Sequence, residues 1–250
     1  MPVYQALAAR DAEAKAKHVM LLPGVGFDVV PTDCLALHLK NRLPSATHLA
    51  LAWRSQGPSK LPPGTVNTML EGIPRDLGVL ARQNGQLQTV PPGKHRMVDF
   101  GHGPVTATRW TWGDVFTAYY STAIPNIETY TILPEQAFKF MKLIGTLRPL
   151  FGFASVRRIF RGMIPAGSTA AERAKTRVDV WGEVADEQGR TAVSRMSGPE
   201  AGVDWTALAA LAAVKKVLAG YAPPGFQTPA RAYGADFVLE CPGVTREDVD

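Results

Sequence analysis

At 250 residues, with 46% apolar and 20% charged side chains, the chain has the balance of a globular protein that can bury one large or two small cores. A net charge of +5 and a pI near 9.3 permit anionic partners, but the basic residues form no nucleic-acid signature. Two cysteines without a shared motif argue against a disulfide framework or zinc knuckle. The polar first 18 residues argue against a signal peptide, and no run of 18 apolar residues suits a membrane span, so a cytoplasmic setting is expected.

Val3 to Lys17 is alanine-rich and reads as a surface helix. Val19–Leu22 is a short apolar run closed by Pro23-Gly24, the pattern of a buried parallel strand. Gly24-Val-Gly-Phe-Asp28 then forms a turn, and Thr32 or Asp33 is placed to N-cap a helix through Arg42. A strand that carries a ligand at its carboxyl end is normally the last of several parallel neighbours. Only 18 residues precede this one, so the chain reads as beginning inside a fold, with Met1 either the true start or a misassigned or internal one.

From His48 the texture changes. His48–Trp53 alternates like a strand, and Thr65–Gly72 reads as a short helix. Asn84-Gly85 between Val79–Arg82 and Leu87–Val90 is a hairpin signal, because both turn positions tolerate positive φ. Strands follow at Arg96–Phe100, Val105–Thr111 and Asn126–Ile132, with a helix at Asp114–Ser121. A second hairpin pairs Arg177–Ala185 with Thr191–Met196. Asp204–Leu218 is the clearest helix, with Asp204 as N-cap and Gly220 as C′, and Asp236–Glu240 reads as a terminal strand. Hairpins interleaved with helices predict an α+β fold on a mixed, largely antiparallel sheet, preceded by an α/β remnant. The boundary is placed so that residues 1–33 are the remnant and 34–250 the α+β domain.

Gly24-Val-Gly26 supplies G-x-G, but Val29 stands where a third glycine belongs, and Pro31-Thr32 intervene before the helix. A tight turn after a core strand is the simpler reading than a phosphate site. Asp28 and Asp33 form a carboxylate pair suited to acid–base work, or else a turn carboxylate and an N-cap. Cys34, in a first helical turn, is either a small core residue or an activated thiol. Trp110-Thr-Trp-Gly-Asp114 followed by Tyr119-Tyr120-Ser121 is the densest polar-aromatic cluster. Its hydroxyls and carboxylate suit orientation of a carbonyl or enoyl thioester, or else a helix cap over core aromatics. The five histidines, His102 on its glycine loop among them, show no metal-ligand spacing, so no metal is expected. Residues 136–171 carry no acidic side chain. The basic and apolar residues of 138–161 suit an amphipathic pair of helices on an anionic membrane surface, or one packed face and one solvated face.

Four stretches resemble one family, the saccharopine dehydrogenase-like oxidoreductases, which include the trans-acting enoyl reductases of lipid biosynthesis. They are Leu22–Ala36, Trp112–Ile127, Trp181–Val184 with Gly198-Pro-Glu200, and Gly225–Gly243. The resemblance implies a Rossmann domain that binds NAD(P) and a following α+β domain that holds substrate and mediates dimer contacts. Val19–Leu22 is similar to the closing strand of that Rossmann domain, and the phosphate-binding glycine turn is not among the matching residues. The resemblance further implies that Gly24, Gly26 and Asp28 line the nicotinamide end of a cleft. Asp114, Tyr119 and Tyr120 are the implied catalytic residues, with Trp112, Ser121 and Asn126 holding substrate. NADP is the implied cofactor and a small-molecule or acyl-thioester compound the implied substrate. A homodimer and an anionic membrane surface are the implied partners, without nucleic acid. This chain alone is expected to bind NAD(P)H poorly, and a non-catalytic dimerisation or lipid-surface module is the alternative.

Overall fold

The computed structural model describes residues 2–72, 78–132, 146–164 and 166–249. The fold is α+β, on a nine-stranded mixed sheet. Its helices are α1 (Pro2–Ala8), α2 (Asp11–Ala16), α3 (Val30–Arg42), α4 (Pro63–Gly72) and α5 (Asp114–Thr122). They continue with α6 (Ala154–Gly162), α7 (Ala170–Ala174), α8 (Thr206–Leu218) and α9 (Pro229–Tyr233). The strands are β1 (Met20–Leu21), β2 (His48–Gln56), β3 (Val79–Gln83), β4 (Gln86–Val90), β5 (His95–Asp99) and β6 (Pro104–Arg109). β7 (Asn126–Thr131), β8 (Arg177–Ala185), β9 (Thr191–Gly198), β10 (Gly225–Phe226) and β11 (Thr245–Val249) complete them.

The main sheet runs β11-β9-β8-β2-β7-β3-β4, with β5 and β6 joining through β7. β2 and β7 are its parallel pair; its other pairings are antiparallel. β2 is buried on both faces. Leu49 and Leu51 point toward α3, while Ala50 and Ala52 lie in the second core with Val98, Ala107 and Trp181. The two-residue period of the strand thus assigns large and small side chains to different layers. α3 lies close on the sheet at Gly182, where an added Cβ would stand 2.6 Å from Leu39 Cδ1 and 3.1 Å from Leu35 Cδ2. Apart from this sheet, β1 pairs in parallel with β10, so the first strand is closed by the carboxyl-terminal region.

The expected helix over Val3–Lys17 is two helices, because the chain breaks at Ala9-Arg10 and Arg10 folds back onto Glu13. Thr32 and Asp33 do not cap α3. The helix already starts at Val30, and both side chains turn inward to partners distant in sequence. Asp204 does not cap α8 either. Glu200 accepts from the backbone N–H groups of Gly202, Val203 and Asp204, and a π-helical turn over Ala201–Trp205 leads into the helix. At the other end Gly220 has φ +90, and Tyr221 N–H bonds Lys216 O, closing the helix as expected. The segment expected as a terminal strand is a short 3-10 turn over Phe237–Glu240. Leu239 N–H bonds Asp236 O and Cys241 N–H bonds Val238 O, so this segment satisfies its backbone within a turn, and pairing passes to β11. Val19 stays outside β1, and its N–H bonds Ala14 O. The Asn84-Gly85 turn has φ of 48 and 79, as its dipeptide requires.

Candidate active site

β1 ends at Leu21, and the chain turns at Gly24, φ +74. A Cβ at Gly24 would stand 2.8 Å from Val29 Cγ2 and 3.1 Å from the Tyr4 hydroxyl, so the turn closes on itself and on α1. Gly26 packs on Thr206, and Phe27 N–H donates to Thr206 Oγ1 at 3.2 Å. The Phe27 ring is held edge-on by Trp53 (5.8 Å) and Trp112 (6.3 Å) and tilted against Trp205 (5.4 Å). Asp28 projects to solvent; partial desolvation by the turn raises its carboxyl pKa.

Behind the turn lies a closed polar network. Asp33, fully buried in the first turn of α3, accepts at Oδ1 from Ser121 Oγ (2.5 Å) and at Oδ2 from Ala230 N–H (2.8 Å). Ser121 also meets the Thr228 hydroxyl, which caps α9 by accepting from Arg231 N–H. Asp114 opens α5, is fully buried, and accepts at Oδ2 from Thr32 Oγ1 at 2.7 Å. Its Oδ1 is buried without a hydrogen-bond partner, as are Thr117 Oγ1 and Trp112 Nε1. Three chain regions distant in sequence therefore converge: the turn and α3, α5, and the segment around Thr228.

Burial sets the electrostatics. It pushes the Asp114 carboxyl well above the ordinary carboxylate range; the Thr32 bond opposes this and the nearby Asp33 charge adds to it. Asp33 is also raised by burial, against hydrogen bonds from Ser121, Ala230 and Thr228. Burial, then Asp114, Asp28 and Asp33, push up the Tyr4 phenol, which stacks on Phe116 at 5.7 Å. A carboxyl kept protonated where others ionise is the form of acid that donates a proton or hydrogen bond. Cys34 is the opposite of an activated thiol. It is fully buried, and burial raises its pKa well above the ordinary thiol value, so the nucleophile reading fails.

The predicted residues divide into groups. Gly24, Gly26, Asp28, Trp112 and Asp114 gather around the turn, where a Cβ on the neighbouring Gly113 would stand 3.4 Å from Asp28 O. Ser121 belongs to the Asp33 end of the network. Tyr119 and Tyr120 lie on the opposite face of α5 and line an open cavity of about 530 Å³ with Phe116 and Arg82. Asn126 holds the β3–β4 turn, accepting from Asn84 N–H and donating to Thr47 O. His102 lines a second cavity with Asp179 and Arg177. Sequence reading missed Tyr4, Thr228 and Arg82. Their partners lie far along the chain, and only an arginine beside an Asn-Gly turn hinted at the last.

The turn does not fit a dinucleotide pyrophosphate. Val29 and Val30 N–H groups already bond Gly26 O, Asp33 N–H bonds Val29 O, and Pro31 has no N–H. Val30, Pro31, Thr32 and Asp33 are all buried, so the start of α3 offers no open cradle of donors.

No protein-family model and no curated protein matches the chain. Among solved structures, apo histidine-tagged saccharopine dehydrogenase (L-Glu forming) from Saccharomyces cerevisiae is similar over 98% of this chain and 77% of its own, with a TM-score of 0.59 and 13% identity. At that identity the likeness is one of fold.

Proposed function

We propose that this chain is the substrate-side part of a saccharopine dehydrogenase-like, NADP-dependent reductase acting on an unsaturated substrate such as an enoyl thioester. The observation that carries the reading is the meeting of the Gly24–Asp28 turn with the start of α5 over a buried acid, within a fold similar to saccharopine dehydrogenase. In this reading residues 1–33 border the nicotinamide side and 34–250 hold the substrate. Phe27 and Trp112 fix the turn, Thr32 and Asp33 fix α5 against α3, and Asp114 is an acid sealed behind the turn, its pKa raised by burial. The cofactor's phosphates are gripped elsewhere than at this turn, and the chain's own task is to bind and orient the acceptor and exclude water from it. Titration with a crotonyl thioester of N-acetylcysteamine, followed by ligand-detected NMR, tests this. Saturable binding that exceeds that of the acetyl thioester is expected, and equal binding of the two contradicts the reading.

One observation favours a second reading, a lipid-surface module. Phe153, Ile159 and Met163 are exposed around α6, beside exposed Arg158. Against it, Arg157 and Arg161 both turn to Glu71. The part of the basic stretch at 138–145 lies outside the described residues. Flotation with vesicles rich in phosphatidylserine decides: co-flotation supports this reading, and recovery in the soluble fraction removes it.

A further inference from the structure

Arg82 poses a problem that its surroundings do not solve. It lies in β3 and is only 5% exposed. A guanidinium stays charged when buried, so its charge requires compensation. No carboxylate pairs with it among the described residues. Nε donates to Val115 O at 3.0 Å, Nη1 donates to Gly85 O at 2.6 Å, and the group lies 4.3 Å over the Tyr119 ring. These partners are neutral. They anchor the β3–β4 turn against α5 and engage Nε and Nη1, which leaves Nη2. Among the described residues Nη2 has no hydrogen-bond partner and is not sealed off, and Arg82 lines the 530 Å³ cavity.

The rest of the cavity specifies what would complete the fork. Among the described residues that line it, Arg82 alone carries a formal charge. Phe116, Tyr120 and Leu87 supply apolar wall, with Ala8 of α1 opposite. The Phe116 and Tyr120 rings meet tilted at 5.1 Å, and Tyr120 is braced edge-on by Phe226 at 4.9 Å. A phosphate dianion calls for several converging donors and more than one charge. A single free guanidinium nitrogen beside packed rings matches one monoanion attached to an apolar body.

We infer that this cavity is a binding site for an organic carboxylate, with Arg82 Nη2 donating to the carboxylate and the Phe116, Tyr120 and Leu87 wall taking the apolar body. The site lies on the face of α5 opposite Asp33 and Asp114. The claim of binding stands without the oxidoreductase reading. Only the ligand's role as a substrate, or as the acid end of one, rests on that reading.

The probes are 3-phenylpropionate, its neutral amide and inorganic phosphate, titrated into the full chain without nucleotide and followed by two-dimensional NMR. The acid is expected to bind at least about tenfold more tightly than the amide, with shifts centred on Gly85, Leu87 and Tyr120. Gln86→Glu, at an exposed lining position, sets a carboxylate beside Arg82 and is expected to abolish acid binding without lowering the melting temperature. This variant keeps the test open if Arg82→Met, which also loses the bonds to Val115 and Gly85, fails to fold. Equal affinity for acid and amide, undiminished acid binding in Gln86→Glu, or tighter binding of phosphate each overturns the assignment. Because no nucleotide or turnover is involved, failure here leaves the reductase reading to its own thioester test.

Discussion

Replacing Asp114 by Asn tests whether the network behind the turn holds a proton. The carboxyl is fully buried, accepts one hydrogen bond from Thr32 and leaves Oδ1 unpartnered. Its folded pKa is therefore well above the ordinary carboxylate value. The native state retains a proton that the unfolded chain releases, so this group's stabilisation is complete below the unfolded pKa. It is lost as pH rises toward the folded value. Within that window one proton is worth about 1.4 kcal/mol per pH unit. Asp114→Asn keeps an acceptor for Thr32 and removes the titration. Asp33 and Asp28, also raised, titrate in both proteins, and their coupling to Asp114 changes the slope of the difference but not its sign. Urea unfolding of both proteins at steps between about pH 5 and pH 8 should show the variant gaining on the parent by up to about 1.4 kcal/mol per pH unit. Parallel stability curves would refute the reasoning, since they would mean that the native carboxyl ionises like an unfolded one.

Gly182→Ala drives a methyl into Leu39, Leu35 and Leu51 and should cost about 1–3 kcal/mol in urea unfolding. Gly64→Ala, in α4 with no atom near the new Cβ, should be neutral or stabilising by about 0.5 kcal/mol. Equal effects at the two sites would deny the close approach of α3 to the sheet. Glu200→Ala strips the acceptor from Gly202, Val203 and Asp204 and should cost about 3 kcal/mol, with Glu200→Gln recovering more than half. Thermal melts that do not separate the three proteins would deny that Glu200 caps the turn into α8.

Local chemistry was legible where one segment decides its own shape. Asn84-Gly85 marked its hairpin because only residues tolerant of positive φ fit there, and alternation in His48–Trp53 marked a strand buried on both faces. Carboxylate caps were misread because Asp33 and Asp204 stand where caps belong. Asp33 instead meets Ser121 and Ala230, and Asp204 is pre-empted by Glu200 and bonded by Arg173. Buried Phe237-Val238 was taken for a strand because apolarity alone does not distinguish a 3-10 turn from a strand. In the site, the turn and the Trp112–Ser121 cluster were visible as motifs. The split of α5 into a carboxyl-bearing face and a cavity-lining face follows from helical period once both neighbours are known. Arg82 was invisible because its character depends on the neutral partners, Val115 O and Gly85 O, that the fold brings to it.

The central claim is that Gly24–Asp28 borders a cleft without gripping a nucleotide's phosphates. Isothermal titration of NADPH into the purified chain tests it most directly. The account predicts no saturable heat up to about 1 mM nucleotide. A micromolar dissociation constant that weakens when Gly24 or Gly26 is replaced by alanine would contradict it.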